Sequence, residues 1–276
     1  MPAVRSMLRR VAHQEPRSSS IGPLVASPDS RNGSAVDCPY RVLTMVRTNE
    51  HGQPIGAALT NWDPPPVPSG QQLVGRTVTL VPIDSVVHAA GLYEVLGSAP
   101  DSLWTYMTFG PFPTADDLEA TLASLTAPDF VPYTIVVDRR PLGFATYLRM
   151  QPFDGVIEIG AITLSPALQN TTPATEAIYS MIDHAFDLGY RRVEWKCDDL
   201  NEPSRSAAIR LGFTFEGIFR QATHYKGRNR DTAWYAITDQ EWPPIRQAYR
   251  DWLSPDNFDA DGRQLRRLGD FREGSD

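Results

Sequence analysis

The stretch from Val156 to Arg220 constrains this chain more than any other. It begins with VIEIGAITL, whose alternate faces differ. Glu158 shares one with Val156, Gly160, Ile162 and Leu164, while Ile157, Ile159 and Ala161 line the other. A polar loop then leads into a helix over 173–188, with Pro173 at its first position and Gly189 just past its end, as helix sterics favour. Arg192–Asp198 reads as a strand. Asn201 caps a helix through Leu211 that Gly212 closes, and a further strand starts at Thr214. The pattern is strand, loop, helix, strand, helix, strand. A loop opening a helix presents free N–H groups and a partial positive charge, so Gln169–Thr175 (QNTTPAT) is a candidate anion site. The alternative is an ordinary capped helix start. Neither a Walker loop nor a Rossmann glycine triplet occurs.

The preceding residues supply the rest of a mixed α/β layer. Residues 76–83 alternate as a strand. Asp84 caps a helix with Leu92, Val95 and Leu96 on one face, and Gly97 ends it. Thr114 with Asp117 resembles a capping box ahead of Leu118, Leu122 and Leu125. Residues 133–138 and 142–150 form a hairpin around Arg139-Arg140-Pro141. Further on, 214–222 and 231–237 form a second hairpin around KGRNR, and 243–253 forms a terminal helix. The expected fold class is thus α/β (α+β), antiparallel in its first half with a strand–helix–strand crossover in its second.

The flanks differ in character. Residues 1–44 mix Arg, Ser, Pro and Gly without a period and cannot bury enough apolar surface to offset ordering. They are expected to be a disordered leader, with Met45 a candidate start. Residues 45–74 read as a Pro-rich extended lead-in, 75–253 as one domain and 254–276 as a loose tail. The net charge is −7, although 1–44 carries six Arg against one Glu and two Asp. The acidic body argues against nucleic acid and favours a cationic or amine partner. Two cysteines, Cys38 and Cys197, give no disulfide framework and fit a reducing, cytoplasmic setting. No run of 18 apolar residues occurs, so no membrane partner is expected.

Five blocks in order carry a resemblance: GRTVTLVPID, EIGAITLSP with its following loop and ATEA, NEPSRSAAIRLGF, TFEGIFRQ, and RNRDTAWYAITDQEWP. From Gly75 to about Trp242 the chain resembles GNAT-superfamily N-acetyltransferases of the RimJ/RimL type. The resemblance implies a GNAT-like sheet whose central strands splay apart, and acetyl-CoA as co-substrate without a metal. The pantetheine arm would pair with backbone near Ile162, Thr163 and Leu164. The pyrophosphate would sit on the loop of Gln169, Asn170, Thr171, Thr172, Ala174 and Thr175. Gln169 and Ala174 match the family loop, whereas Thr172 and Pro173 stand where glycine and a free residue are usual. Thr restricts φ and Pro removes a donor.

By family position Asn201 would contact pantetheine or acceptor, Ser204 would protonate the departing thiolate, and Arg205 would reach a CoA phosphate. Asn201 is equally suited as a helix cap and Arg205 as a solvated side chain. Attack by a neutral amine also needs an oxyanion donor near Ile162–Thr163 and a base. Glu158 is the first candidate base, with an Arg partner within the sheet as the alternative; His224 is the second. Trp104, Tyr106, Met107 and Phe109 would wall the acceptor side or simply pack the core. The acceptor is expected to be a peptide N-terminus or a small-molecule amine. A module that binds CoA or peptide without turnover is the reading from another class.

Overall fold

The computed structural model describes residues 47–272. The expected leader 1–44 lies outside them. Residues 64–272 form one compact unit and 47–63 another. In the small unit β1 (Arg47–Thr48) pairs antiparallel with β2 (Pro54–Ile55).

The large unit is built on an eight-stranded sheet. Its strands are β3 (Leu73–Val74), β4 (Thr79–Pro82), β5 (Phe130–Val137), β6 (Arg140–Gln151), β7 (Val156–Leu164), β8 (Arg192–Asp198), β9 (Thr214–Tyr225) and β10 (Arg228–Thr238). They lie in the order β3-β4-β5-β6-β7-β8-β10-β9. Every neighbouring pair is antiparallel except β7 and β8, which are joined by the crossover helix. The helices are α1 (Ser85–Leu96), α2 (Ala115–Ser124), α3 (Thr172–Asp187), α4 (Glu202–Leu211), α5 (Trp242–Trp252) and α6 (Leu268–Arg272). This is the mixed, mostly antiparallel α/β fold expected from the sequence.

Each face of the sheet has its own core. On one face α3 sends Ala177, Ile178, Met181, Ile182 and Ala185 against Ile157, Ile159, Val193 and Trp195, with α5 and α6 packed behind. On the other, Leu92 and Leu96 of α1 and Leu118 and Leu122 of α2 enclose Trp104, Phe112 and Phe144. Burying each such side chain contributes about 1.5–3 kcal/mol. The predicted caps form. Asp84 accepts the N–H groups of Val86 and Val87 at 3.0 and 3.1 Å, and Thr114 accepts that of Asp117 at 3.2 Å.

Four boundaries differ from the sequence expectation. The lead-in does not stop short of the domain, because its last residues supply β3. The first hairpin turns at Asp138-Arg139, both at positive φ (49° and 63°), rather than at Arg139–Pro141. The second turns tightly at Lys226-Gly227 (φ 47° and 71°), so its strands absorb most of KGRNR. The tail is not loose. Leu268 is 3% exposed, the Asn257 amide donates to the Trp252 and Arg266 carbonyls, and Arg272 donates to the Ile209 and Arg210 carbonyls at the end of α4. These contacts join residues far apart in sequence, which a local composition cue does not register.

Candidate functional site

The parallel pair β7–β8 is short. It holds only through Val156↔Arg192, Ile157↔Val193 and Glu158↔Glu194. Beyond it β7 runs on to Leu164 and β8 to Asp198 without pairing to each other, so a cleft opens between two adjacent strands. The inner edge of each strand there has backbone groups free for an extended ligand.

The apex of the cleft is a charged lattice. The Lys196 ammonium lies 2.9 Å from Glu158 and also pairs with Glu194; its side chain is 6% exposed. Arg149 adds a contact to Glu158 at 3.3 Å, and Arg192 binds Glu194 at 2.9 Å and Glu216 through both guanidinium ends. The ring of Trp234 lies 3.6 Å from the ammonium. Burial pushes the Glu158 carboxyl up, against the pull of Lys196 and Arg149. Burial acts on Glu194 too, but Lys196 and Arg192 outweigh it and hold that carboxyl below its ordinary value. Glu158 is therefore an ion-pair partner within the sheet, the alternative left open by the sequence, and not an open carboxylate.

Past the apex β7 carries a bulge. Thr146 faces Gly160 and Phe144 faces Thr163, so three residues of β7 span two of β6, and Ala161 sits at φ 50°. The extra residue exchanges the faces expected from simple alternation. Thr163 shares the face of Glu158, while Ile162 and Leu164 pack against the helix-side core. Positive φ at a non-glycine inside a strand is strain of the kind that clusters at functional sites.

At the open end, the Gln169–Thr175 loop starts α3. Thr171 is the N-cap and accepts the Ala174 N–H at 3.3 Å, while its own hydroxyl donates to the Leu168 carbonyl. Thr172, not Pro173, is the first helical residue. Pro173 has no N–H, and that of Thr175 goes to the Thr171 carbonyl, so in this turn the Thr172 N–H remains available. Asn170 stands at φ 59°, and the Gln169 amide donates to the Leu164 carbonyl. Thr175 is buried with its hydroxyl taken by Arg210, which removes it from the expected anion set. The remaining residues fit a phosphorylated group of modest demand, held by one backbone donor, a helix dipole and the Thr172 hydroxyl.

Opposite this loop Asn201 caps α4 through the Ser204 N–H at 3.3 Å. The Ser204 oxygen accepts the Trp195 indole N–H at 3.1 Å, and its own proton is directed at the neighbouring Cys197 sulfur. Burial raises the nearby Cys197 thiol, in keeping with an inert core cysteine. Arg205 is engaged by Asp199 at 3.0 Å and by the Tyr235 hydroxyl at 3.2 Å, which argues against its reaching a phosphate.

The other face of the cleft is aromatic. Trp104 is 1% exposed and packs edge-on against Phe112, so it belongs to the core. Tyr106, Met107 and Phe109 are half-buried in the same loop. His224 is exposed on the edge strand β9 and faces away from the cleft, because its neighbour Tyr225 faces in and donates to Asp198 at 2.7 Å. Tyr225, Asp198, Lys196 and Lys226 were not singled out by sequence reasoning as site residues. The signal for Tyr225 was available in the period of two, once the hairpin turn was placed at Lys226-Gly227. Among the described residues no group of His, Cys, Asp and Glu could hold a metal ion, and no helix is long and apolar enough to cross a membrane.

Comparison with known proteins agrees with this architecture. The family model described as "Acetyltransferase (GNAT) domain" matches residues 77–214. A GCN5-related N-acetyltransferase from Brucella melitensis is 40% identical, with TM-score 0.75 over 78% of this chain and 100% of that one. A probable GNAT acetyltransferase from Chromobacterium violaceum is 39% identical, with TM-score 0.66 over 69% and 97%. The Salmonella typhimurium enzyme that modifies the N-terminal serine of ribosomal protein L7/L12 shares the fold at 20% identity and TM-score 0.55, over 61% and 99%. No curated protein sequence matches.

Proposed function

The chain belongs to the GNAT acetyltransferase family, whose members use acetyl-CoA to acetylate amines, and we propose that its acceptor is the N-terminal amine of a protein or peptide. The observation that carries the reading is the opening between β7 and β8 beyond Glu158↔Glu194. It joins the two faces of the sheet. The Thr172 helix start and Ser204 stand on the helix face, where a nucleotide and its thioester arm would enter. Asp198, Glu194 and the loop 104–110 stand on the other, from which an amine would approach. Two substrates meeting through one opening suit direct transfer in a ternary complex.

In this reading backbone groups of Ile162–Leu164 align the pantetheine arm, and the Thr172 N–H with the Gln169–Thr171 loop holds the pyrophosphate. The bulge at Ala161 turns a backbone N–H toward the acetyl oxygen, and Ser204 gives its proton to the departing sulfur. Bound acetyl-CoA supplies the activated acyl group. A peptide N-terminus is favoured by the Asn201-to-Gly217 sequence block, which resembles the branch that acetylates N-terminal amines. The acidic body suits a cationic acceptor. The test is release of free thiol from acetyl-CoA with a panel of unblocked peptides and small amines. Turnover on peptides but not on their N-blocked forms supports the reading. Turnover confined to small amines replaces the acceptor class, and binding without release on any acceptor makes the protein a non-catalytic module.

A further inference from the structure

Asp198 ends β8 with 5% of its surface exposed. One carboxylate oxygen accepts the Leu200 N–H at 2.9 Å; the other accepts the Tyr225 hydroxyl at 2.7 Å. Tyr225 is 2% exposed, and burial, then its hydrogen bond to Asp198, pushes its phenol up to about 12. At neutral pH the tyrosine is therefore a donor, and the carboxylate is fixed in direction from two sides. Each oxygen still has a lone pair to offer.

The strand register places this carboxylate. Glu158 and Glu194 are partners, and Glu194, Lys196 and Asp198 alternate on one face of β8. Continuing four residues along both strands, and allowing for the bulge, sets Asp198 across the cleft from Ile162–Thr163. Thr163 shares its face, through its pairing with Phe144.

A bridge passes over that point. Lys226 follows Tyr225 at the hairpin tip and donates to the carbonyls of Trp104 at 2.9 Å, Phe109 at 3.2 Å and Gly110 at 2.7 Å. An ammonium has three protons, and all three are spent on one loop. Arg228 donates to the Thr105 carbonyl beside it. The loop rests on β6, with the Phe109 and Phe144 rings 5.9 Å apart. The clip thus reaches from the β10–β9 edge to β6, and the unpaired ends of β7 and β8 lie between its supports.

We propose that Asp198, aimed by Tyr225, receives the ammonium group of the acceptor in a pocket walled by the loop 104–110 that Lys226 fastens. The proposal rests on the amine-acetylation reading above and names the acceptor's subsite. One proton passes from the ammonium to the Asp198 carboxylate and leaves a neutral amine. Its lone pair forms the N–C bond to the acetyl carbon as the C–S bond breaks and the electron pair leaves with sulfur. The second proton shed by nitrogen replaces the one that Ser204 gives to that sulfur, and Asp198 returns its proton to water. The substrate class is a primary ammonium. Tyr225 and Lys226 act through Asp198 and the loop and are positioning residues.

The test compares full-length wild type with Asp198→Asn, Tyr225→Phe and Lys226→Met, using acetyl-CoA and an unblocked Ser-initiated peptide. Asn keeps an oxygen for the Leu200 N–H, so Asp198→Asn is expected to keep its melting temperature and bind acetyl-CoA within about twofold of wild type. Its kcat/KM for the peptide should fall about 100-fold or more, in the range general-base contributions span. Tyr225→Phe and Lys226→Met should each lose about tenfold, chiefly in peptide KM, with Lys226→Arg recovering part. Asp198→Asn with kcat/KM within about threefold of wild type overturns the proposal. So does an equal loss of acetyl-CoA affinity, which would mark Asp198 as structural. Wild type with no turnover on any amine would instead defeat the acetylation reading itself.

Discussion

Replacing Lys196 with Met tests whether the charged lattice holds the apex of the cleft. Lys196 lies between Glu158 and Glu194, which are register partners, and all three side chains are under 10% exposed. Met keeps the length of the stem and its contact with Trp234 while deleting the charge. Two buried carboxylates then face each other with the central cation gone. Removing one partner of a buried pair costs about 3–5 kcal/mol. Arg149 and Arg192 each remain beside one carboxylate, so the lower end, about 3 kcal/mol, applies. For a domain of this size that is a fall in melting temperature of about 6–12 °C. The sign with pH follows from the same contacts. Without the cation both carboxylates are harder to ionise in the folded state. The penalty is therefore full where they are ionised and is relieved as falling pH protonates them. Urea unfolding at pH 7 and pH 5 should show the difference from wild type shrinking at the lower pH. A loss below about 1 kcal/mol at pH 7, or one that grows on acidification, would show that Lys196 does not hold the two carboxylates together.

Three further outcomes follow from the contacts described. Ser204→Ala should lower kcat by about tenfold or more while leaving acetyl-CoA affinity within about twofold, since the hydroxyl is placed to give a proton rather than to hold the nucleotide; steady-state kinetics beside calorimetric titration checks this, and an unchanged kcat would remove Ser204 from the chemistry. Glu176 is 2% exposed and accepts the Arg76 and Thr77 N–H groups from the start of the domain, so Glu176→Ala should cost about 2–4 kcal/mol in urea unfolding by leaving two donors unmade. Truncation after Leu253 removes Leu268, Asn257 and the Arg272 contacts to the end of α4, and should lower the melting temperature by several degrees; an unchanged melting temperature would restore the view of 254–276 as a loose tail.

What the sequence made legible was local. The cap at Asp84, the paired Thr114 and Asp117, the bounds of β7 and β8 and the apolar stripes of α3 all follow from neighbours within a few residues, and they appear as expected. What it hid was set by distant partners. Glu158 looked like a poised base because its strand context is visible in the sequence. The ammonium that neutralises it comes from Lys196, on the next strand across a helical crossover. The bulge at Ala161 directly follows Gly160, an isolated strand glycine of the kind that marks a bulge, and it decides which of Ile162, Thr163 and Leu164 faces the acceptor. His224 and Tyr225 are adjacent, and the period of two allows only one of them inward. The choice depends on where the hairpin turns, and Lys226-Gly227 is a tighter turn than the polar run suggested.

In the proposed mode the cleft between β7 and β8 holds acetyl-CoA with its pyrophosphate at the start of α3. Calorimetric titration of acetyl-CoA into wild type and Thr172→Glu tests this directly. A carboxylate in the first turn favours the helix dipole, so this variant should be folded and no less stable than wild type. It would also set a negative charge beside the pyrophosphate. One-to-one binding to wild type is expected, with an affinity lower by about tenfold or more in the variant, which is about 1.4 kcal/mol. Equal affinities in the two proteins, or no binding to wild type, would contradict it.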